Sequence, residues 1–190
     1  MGNRSAGGSR SVKVVVTGPF GAGKTSLIST ISEIDVLSTE KAVTDGTAAQ
    51  KARTTVAMDF GRLTIAEDLA LYLFGTPGQK RFDFMWEILA EGMLGFVILI
   101  DAQREESLAE AADILRFFRD TAAVPFVVAV NKVADDAAAS VTRAREMLEV
   151  PAGVRVVACD ALDRESVKDV LLELLYAVLD EVEERDAAAV

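Results

Sequence analysis

The sequence predicts a three-layer α/β sandwich around a mostly parallel, six-stranded sheet. Three observations carry this. Strand and helix signals alternate along nearly the whole chain, a β-branched run at residues 12–17 breaks into a glycine-rich turn, and the apolar runs at 94–100 and 126–130 are continuous. Strands separated by helices become parallel neighbours through right-handed crossovers. Unbroken apolar strands are those covered on both faces.

In chain order, residues 1–11 are rich in Gly, Ser and Arg and read as a flexible arm. With no apolar region they are no secretory signal, and Ala6 stands where a myristoylation site needs a hydroxyl. The first strand, at 12–17, leads into a helix from Lys24 to about Ile34. Residues 35–53 lack periodicity and read as a mobile loop. Residues 55–65 and 69–74 read as a hairpin turning at Glu67 and Asp68. Strands follow at 94–100, 126–130 and 154–158, with helices at 105–120, 137–149 and 165 to about 184. In the last helix Val167, Val170, Leu171, Leu174, Leu175 and Val178 recur at helical spacing. No repeat or linker interrupts residues 12–184, which read as one domain, and 185–190 as a frayed tail.

Composition limits the chemistry. The 190 residues suit one domain with a substantial core, and the net charge of −10 offers no basic footprint for nucleic acid or an anionic membrane. With no histidine and a single cysteine, Cys159, the chain excludes histidine-based catalysis and any internal disulfide. A reducing cytoplasm is the expected setting. No apolar run reaches membrane-spanning length, so membrane attachment would have to come through another protein.

The strongest chemical signal is Gly18-Pro19-Phe20-Gly21-Ala22-Gly23-Lys24-Thr25, a full match to G-x-x-x-x-G-K-[ST] followed by Ser26. It is expected by chance in fewer than about one in a hundred chains of this length. Its context fits, because a strand precedes it and a helix begins inside it. Glycines let backbone N–H groups wrap phosphates, Lys24 would bridge the β and γ phosphates, and the Thr25 hydroxyl would ligate Mg²⁺. The alternative is an ordinary glycine-rich strand-to-helix turn.

Four further stretches stand at predicted strand ends in a telling order: Thr54-Thr55-Val56-Ala57-Met58-Asp59-Phe60, Leu73-Phe74-Gly75-Thr76-Pro77-Gly78-Gln79, Asn131-Lys132 and Cys159-Asp160-Ala161. With the phosphate loop, this set resembles the Ras-like small GTPases over residues 12–179. It looks most like the bacterial group that includes the gliding-motility polarity GTPases and the actinobacterial conservon GTP-binding proteins. The resemblance implies a GTP/GDP-binding switch with Mg²⁺, and protein partners of roadblock type and of a sensor-kinase-like kind. It implies that Thr55 closes on Mg²⁺ and the γ-phosphate, that the Gly78 N–H holds the γ-phosphate and that Gln79 orients the attacking water. Asn131, Lys132, Cys159, Asp160 and Ala161 would surround the base. The alternative leaves Thr55 as a strand start and Gln79 as a solvated loop amide.

The chain departs from that pattern at three places. Gly75 stands where the family usually keeps an aspartate that holds Mg²⁺ through water, which predicts weaker metal retention. Ala134 occupies the aspartate position of N-K-x-D. Asp135 follows at once and could reach the base through a one-residue bulge, or Asp135 and Asp136 could cap the next helix. Phe20 replaces a frequent glycine and would crowd an arginine entering from a partner. Arg53 is a candidate internal arginine finger or a solvated loop charge, and slow hydrolysis is expected. Phe82, Phe84, Met85 and Trp86 cannot all face one side of a helix, so some should be exposed as a partner surface. The rival readings are a nucleotide-dependent kinase and a pseudo-GTPase scaffold that binds without turnover.

Overall fold

The computed structural model describes residues 10–38, 58–78, 82–134 and 136–188. The elements run β1 (Arg10–Thr17), α1 (Lys24–Ile31), β2 (Leu37–Ser38), β3 (Asp59–Ala66), β4 (Leu69–Gly75), α2 (Phe84–Ala90) and β5 (Met93–Asp101). They continue with α3 (Glu105–Thr121), β6 (Phe126–Asn131), α4 (Ala137–Met147), β7 (Val156–Cys159) and α5 (Arg164–Ala188). The sheet order is β2-β3-β4-β1-β5-β6-β7. The six expected strands are present, and the two-residue β2 adds a short seventh at one edge. β4, β1, β5, β6 and β7 pair in parallel, while the β3–β4 hairpin and the β2–β3 pair are antiparallel.

Side-chain alternation along the strands divides the core into two layers. Val14, Val16, Val97 and Leu99 face α1 and α5, whereas Val15, Phe96, Ile98 and Ile100 face α2, α3 and α4. On the second face Phe96 stacks on Phe126 with ring centroids 5.1 Å apart, and Trp86 packs against Phe117 and Phe118 at 5.3 and 6.1 Å. Emptying such a site by Phe→Ala costs about 3–5 kcal/mol.

Element ends differ from the sequence expectation where tertiary bonds decide them. β1 begins at Arg10, inside the expected arm, because the Arg10 N–H donates to the Asp68 carbonyl at 2.6 Å. The final helix runs through Ala188, past the expected fraying point, with an Arg185–Glu181 ion pair on its last turns. α1 stops at Ile31, where the Ser32 N–H closes on the Ile28 carbonyl at 2.9 Å. Of the stretch read as a loop, residues 39–53 lie outside the described residues. Phe82 and Trp86 are core, and Phe84 is 53% exposed, so Phe84 and not Trp86 answers the exposed-surface expectation.

α2 is tied to the central strand. The Lys13 ammonium donates to the carbonyls of Ile88 and Glu91 at 3.3 and 2.8 Å, satisfying the end of the helix. Partial burial pulls Lys13 below the usual lysine range, with the Glu91 charge opposing.

Candidate nucleotide-binding site

The site lies at the carboxyl ends of the parallel strands, where loops leave β1, β4, β5, β6 and β7. Its centre is the turn from β1 to α1. Gly18 has φ +138°, and a Cβ there would lie 2.0 Å from the Leu99 carbonyl oxygen. Gly23 has φ +107°, and a Cβ would lie 2.5 Å from Asn131 Nδ2. Only glycine fits both the dihedral and the space at these two positions.

Five successive carbonyls of this turn each accept from a side-chain nitrogen. Lys24 Nζ donates to Gly18 and Pro19 at 2.7 and 2.8 Å. Arg104 Nη1 donates to Phe20 at 2.9 Å, Lys132 Nζ to Gly21 at 2.9 Å, and Asn131 Nδ2 to Ala22 at 2.8 Å. A peptide plane whose carbonyl is held by a side chain turns its N–H the other way. The Ala22 N–H closes the turn on the Pro19 carbonyl at 3.3 Å, and the grip leaves the N–H groups of Phe20, Gly21 and Gly23 to an anion, with the N-terminus of α1 behind them. A phosphate chain fits such a cradle.

On the Thr25 side of the site a carboxylate stands close that the sequence reading did not single out. Thr25 Oγ1 donates to Asp59 Oδ2 at 2.6 Å. Asp59 opens β3 and pairs directly with Gly75 at the end of β4. A Cβ on Gly75 would lie 3.0 Å from Asp59 Cβ and 3.2 Å from its Oδ2. A carboxylate from the neighbouring strand therefore stands beside the space that Gly75 leaves. Thr25 and Asp59 offer oxygen ligands of the kind Mg²⁺ takes, directly or through water.

Gly78 packs on the cradle: a Cβ there would lie 2.7 Å from Phe20 Cα and 2.9 Å from Lys24 Nζ. Thr17 and Thr76 share a buried hydroxyl hydrogen bond of 2.9 Å beneath the same turn. Phe20 itself turns its ring to solvent at 57% exposure. Phe20, Gly21, Gly23, Lys24, Thr25, Ser26, Asp59 and Gly78 thus come together around a cavity of about 280 Å³.

The cavity shares Gly23 and Ser26 with a second one of about 480 Å³, lined by Asn131, Lys132, Ala134, Cys159, Asp160 and Ala161. Asn131, buried at the end of β6, bridges the two. Its Nδ2 holds Ala22 of the cradle, and its Oδ1 accepts from the Ala161 N–H at 3.1 Å. Lys132 adopts φ +56°, a strained value for a side-chain-bearing residue, held by its bonds to Gly21 and to Asp101 Oδ2 at 2.7 Å. Asp160 Oδ1 accepts from the Leu162 N–H at 2.9 Å and shapes the loop rather than facing outward unpaired. Burial, with the charges of Asp160 and Asp163 adding and a Ser166 hydrogen bond opposing, pushes the Cys159 thiol up to about 11. The thiol is neutral at physiological pH.

Of the sequence-predicted residues, Arg53, Thr55, Gln79 and Asp135 lie outside the described residues. Asp136 takes the helix cap, accepting from the Ala139 N–H at 2.9 Å. Three residues escaped sequence reasoning: Asp59, Asp101 and Arg104. Asp101 carried a signal, a carboxylate at the end of an otherwise apolar strand, whereas Asp59 opens a strand that also holds Arg62 and Thr64. Asp59 also needed the register that sets it opposite Gly75.

The family model described as conserved hypothetical ATP binding protein matches residues 34–181, well over half of the chain. The match begins after the phosphate cradle and takes in Asp59, Gly78, Asn131 and Ala161. The uncharacterized protein MJ1339 of Methanocaldococcus jannaschii is 36% identical over 121 residues, 64% of this chain and 70% of that protein. Among the described residues, no helix is long and apolar enough to cross a membrane. With its phosphate loop built as above, the protein is a nucleotide-binding protein, and the chain belongs to this conserved ATP-binding family of P-loop type.

Proposed function

We propose that the protein is a GTP-binding molecular switch that hydrolyses GTP slowly. The observation that carries this reading is Asn131, whose buried carboxamide joins the cradle at Ala22 to the base pocket at Ala161, with Lys132 fixed beside it on Gly21. The N-K resemblance implies that both residues lie around the base of a guanine nucleotide. The mostly parallel sheet with one hairpin supports it.

In this reading Lys24 leaves the Gly18 and Pro19 carbonyls for the β and γ phosphates. Thr25 and Asp59 hold Mg²⁺, joined by Thr55 in the triphosphate state. A bound magnesium ion neutralises phosphate charge. Asp136 is committed to its helix cap, which leaves Asp135 to accept from the guanine edge. Gln79 orients water for attack on the γ-phosphorus; the bond to the bridging oxygen breaks, and GDP and inorganic phosphate leave. Arg53 supplies positive charge to that step. Loss of the γ-phosphate releases Gly78 and Thr55, and Phe84 and Ile88, both exposed on α2, report the change to a partner. Roadblock-type and sensor-kinase-like partners in the cytoplasm belong to this proposal, as does any membrane association through them.

A second reading is favoured by Ala134 and by the family's printed description: binding of ATP, or binding without base selectivity or turnover. Titration calorimetry with GDP, GTP and ATP, with and without magnesium, separates the two. Guanine-selective binding that Asp135→Ala abolishes supports the switch. Equal binding of ATP overturns it in favour of the second reading.

A further inference from the structure

One cation outside the recognised motifs reaches the phosphate cradle. Arg104 stands in the turn between β5 and α3, and its backbone is tied on both sides. The Asp101 carbonyl accepts from its N–H at 3.3 Å, and its own carbonyl accepts from the Ser107 N–H at 3.1 Å. Asp101 is fixed in turn, since its Oδ1 accepts from the Gln103 N–H at 2.9 Å and its N–H donates to Ser107 Oγ at 3.1 Å. From this rigid base the side chain crosses to the cradle. Its Nη1 donates to the Phe20 carbonyl at 2.9 Å and lies 3.2 Å from where a Cβ on Gly21 would stand.

Two features argue against a merely structural role. Arg104 occupies the N-cap of the 17-residue α3 and makes no side-chain cap bond. A helix start favours Ser, Thr, Asp or Asn, and its dipole disfavours a cation. Furthermore, the guanidinium has five N–H donors, and the Phe20 carbonyl is the one acceptor it meets among the described residues; no carboxylate there pairs with it. A planar fork with donors to spare, held against the rim of an anion cradle, matches phosphate oxygens bidentately. Lys24 stands on the neighbouring carbonyls Gly18 and Pro19, so the two cations flank one arm of the turn.

We propose that Arg104 is a triphosphate-sensing residue, whose unused guanidinium N–H groups bond the γ-phosphate oxygens of a bound nucleoside triphosphate and find no such partner in the diphosphate. The inference rests on the nucleotide-binding reading and is independent of Arg53. The test is titration of wild type, Arg104→Ala and Arg104→Lys with the imido analogue of GTP and with GDP, the adenine pair alongside, and thermal melts to establish that each variant is folded. Arg104→Ala loses its grip on the Phe20 carbonyl for either ligand, but it should weaken the imido triphosphate about tenfold more than the diphosphate, the loss of a further charge-assisted bond or two. Arg104→Lys should fall between, because it keeps the charge and loses the fork. Equal loss for triphosphate and diphosphate would mean that Arg104 only shapes the Phe20–Gly21 turn, and no loss for either would mean no contact; both overturn the proposal. Wild-type protein that binds none of the four nucleotides would instead sink the nucleotide-binding reading, and this inference with it.

Discussion

The two cavities of the site are built on different principles. The phosphate side is specified by backbone: five carbonyls of the turn are gripped by Lys24, Arg104, Lys132 and Asn131, and two of its glycines admit no side chain. The base side is wider, about 480 against 280 Å³, and is specified by a few side chains on loops. Phosphate recognition needs only inward N–H groups and one cation, which any sequence with the right turn provides. In the proposed switch, base recognition needs one carboxylate at one place, and Ala134 occupies that place. On that proposal selectivity rests on the neighbouring Asp135, while phosphate recognition does not depend on it.

The largest effect should come from breaking the phosphate side. Lys24→Ala should weaken every nucleotide about a hundredfold or more, since charged hydrogen bonds contribute about 1.5–3 kcal/mol each and this ammonium serves two phosphates. Calorimetry checks it, and a loss below about tenfold would mean that the backbone alone holds the ligand.

Cutting the bridge between the sides comes next. Asn131→Ala leaves the Ala22 carbonyl and the Ala161 N–H unpartnered in a buried place, and should cost about 2–3 kcal/mol of folding stability by denaturant melts. A neutral result would show that the two halves are held together elsewhere.

The metal side can be sharpened by exchange. Asp59→Ala should raise the magnesium needed for half-maximal triphosphate binding about tenfold. The double variant Asp59→Gly with Gly75→Asp should recover most of that loss, because the two side chains reach for the same space across the β3–β4 pair. Failure of the exchange would mean that Asp59 serves only to orient Thr25.

The smallest expected effect lies in the base pocket. The Cys159 thiol, raised from 9.0 to about 11 chiefly by burial, should resist alkylation at pH 8 in the folded protein and react on unfolding. A folded-state value above the unfolded one means that this group's contribution is fully present below pH 9. It is lost as pH rises towards 11, because the unfolded thiol ionises first. Protection by bound nucleotide would further place the base against this wall.

What could be read from the chain follows the same division. The cradle was legible residue by residue, because G-x-x-x-x-G-K-[ST] encodes a backbone shape in local sequence, and the strand–helix alternation encoded the layers. Of the gripping side chains, Lys24, Asn131 and Lys132 were singled out in the sequence and Arg104 was not. Asp101 closes β5 and Arg104 follows in the turn to α3, and nothing local to Gly18–Thr25 announces them. Asp59 was hidden for a similar reason. Gly75 read alone is a missing ligand, and only the antiparallel register turns it into room for a carboxylate 16 residues earlier. Phe84 and Trp86, two positions apart, went to opposite environments, which helical geometry requires but composition does not resolve.

The central claim is that the β4–α2 loop senses the γ-phosphate through Gly78, which rests on Phe20 and Lys24. Amide hydrogen exchange of the protein bound to GDP and to the imido analogue of GTP, both with magnesium, tests it most directly. The account predicts different protection over residues 76–90 in the two states, with β6 and α5 unchanged. Identical exchange across that segment would contradict the switch and leave a nucleotide-binding module without one.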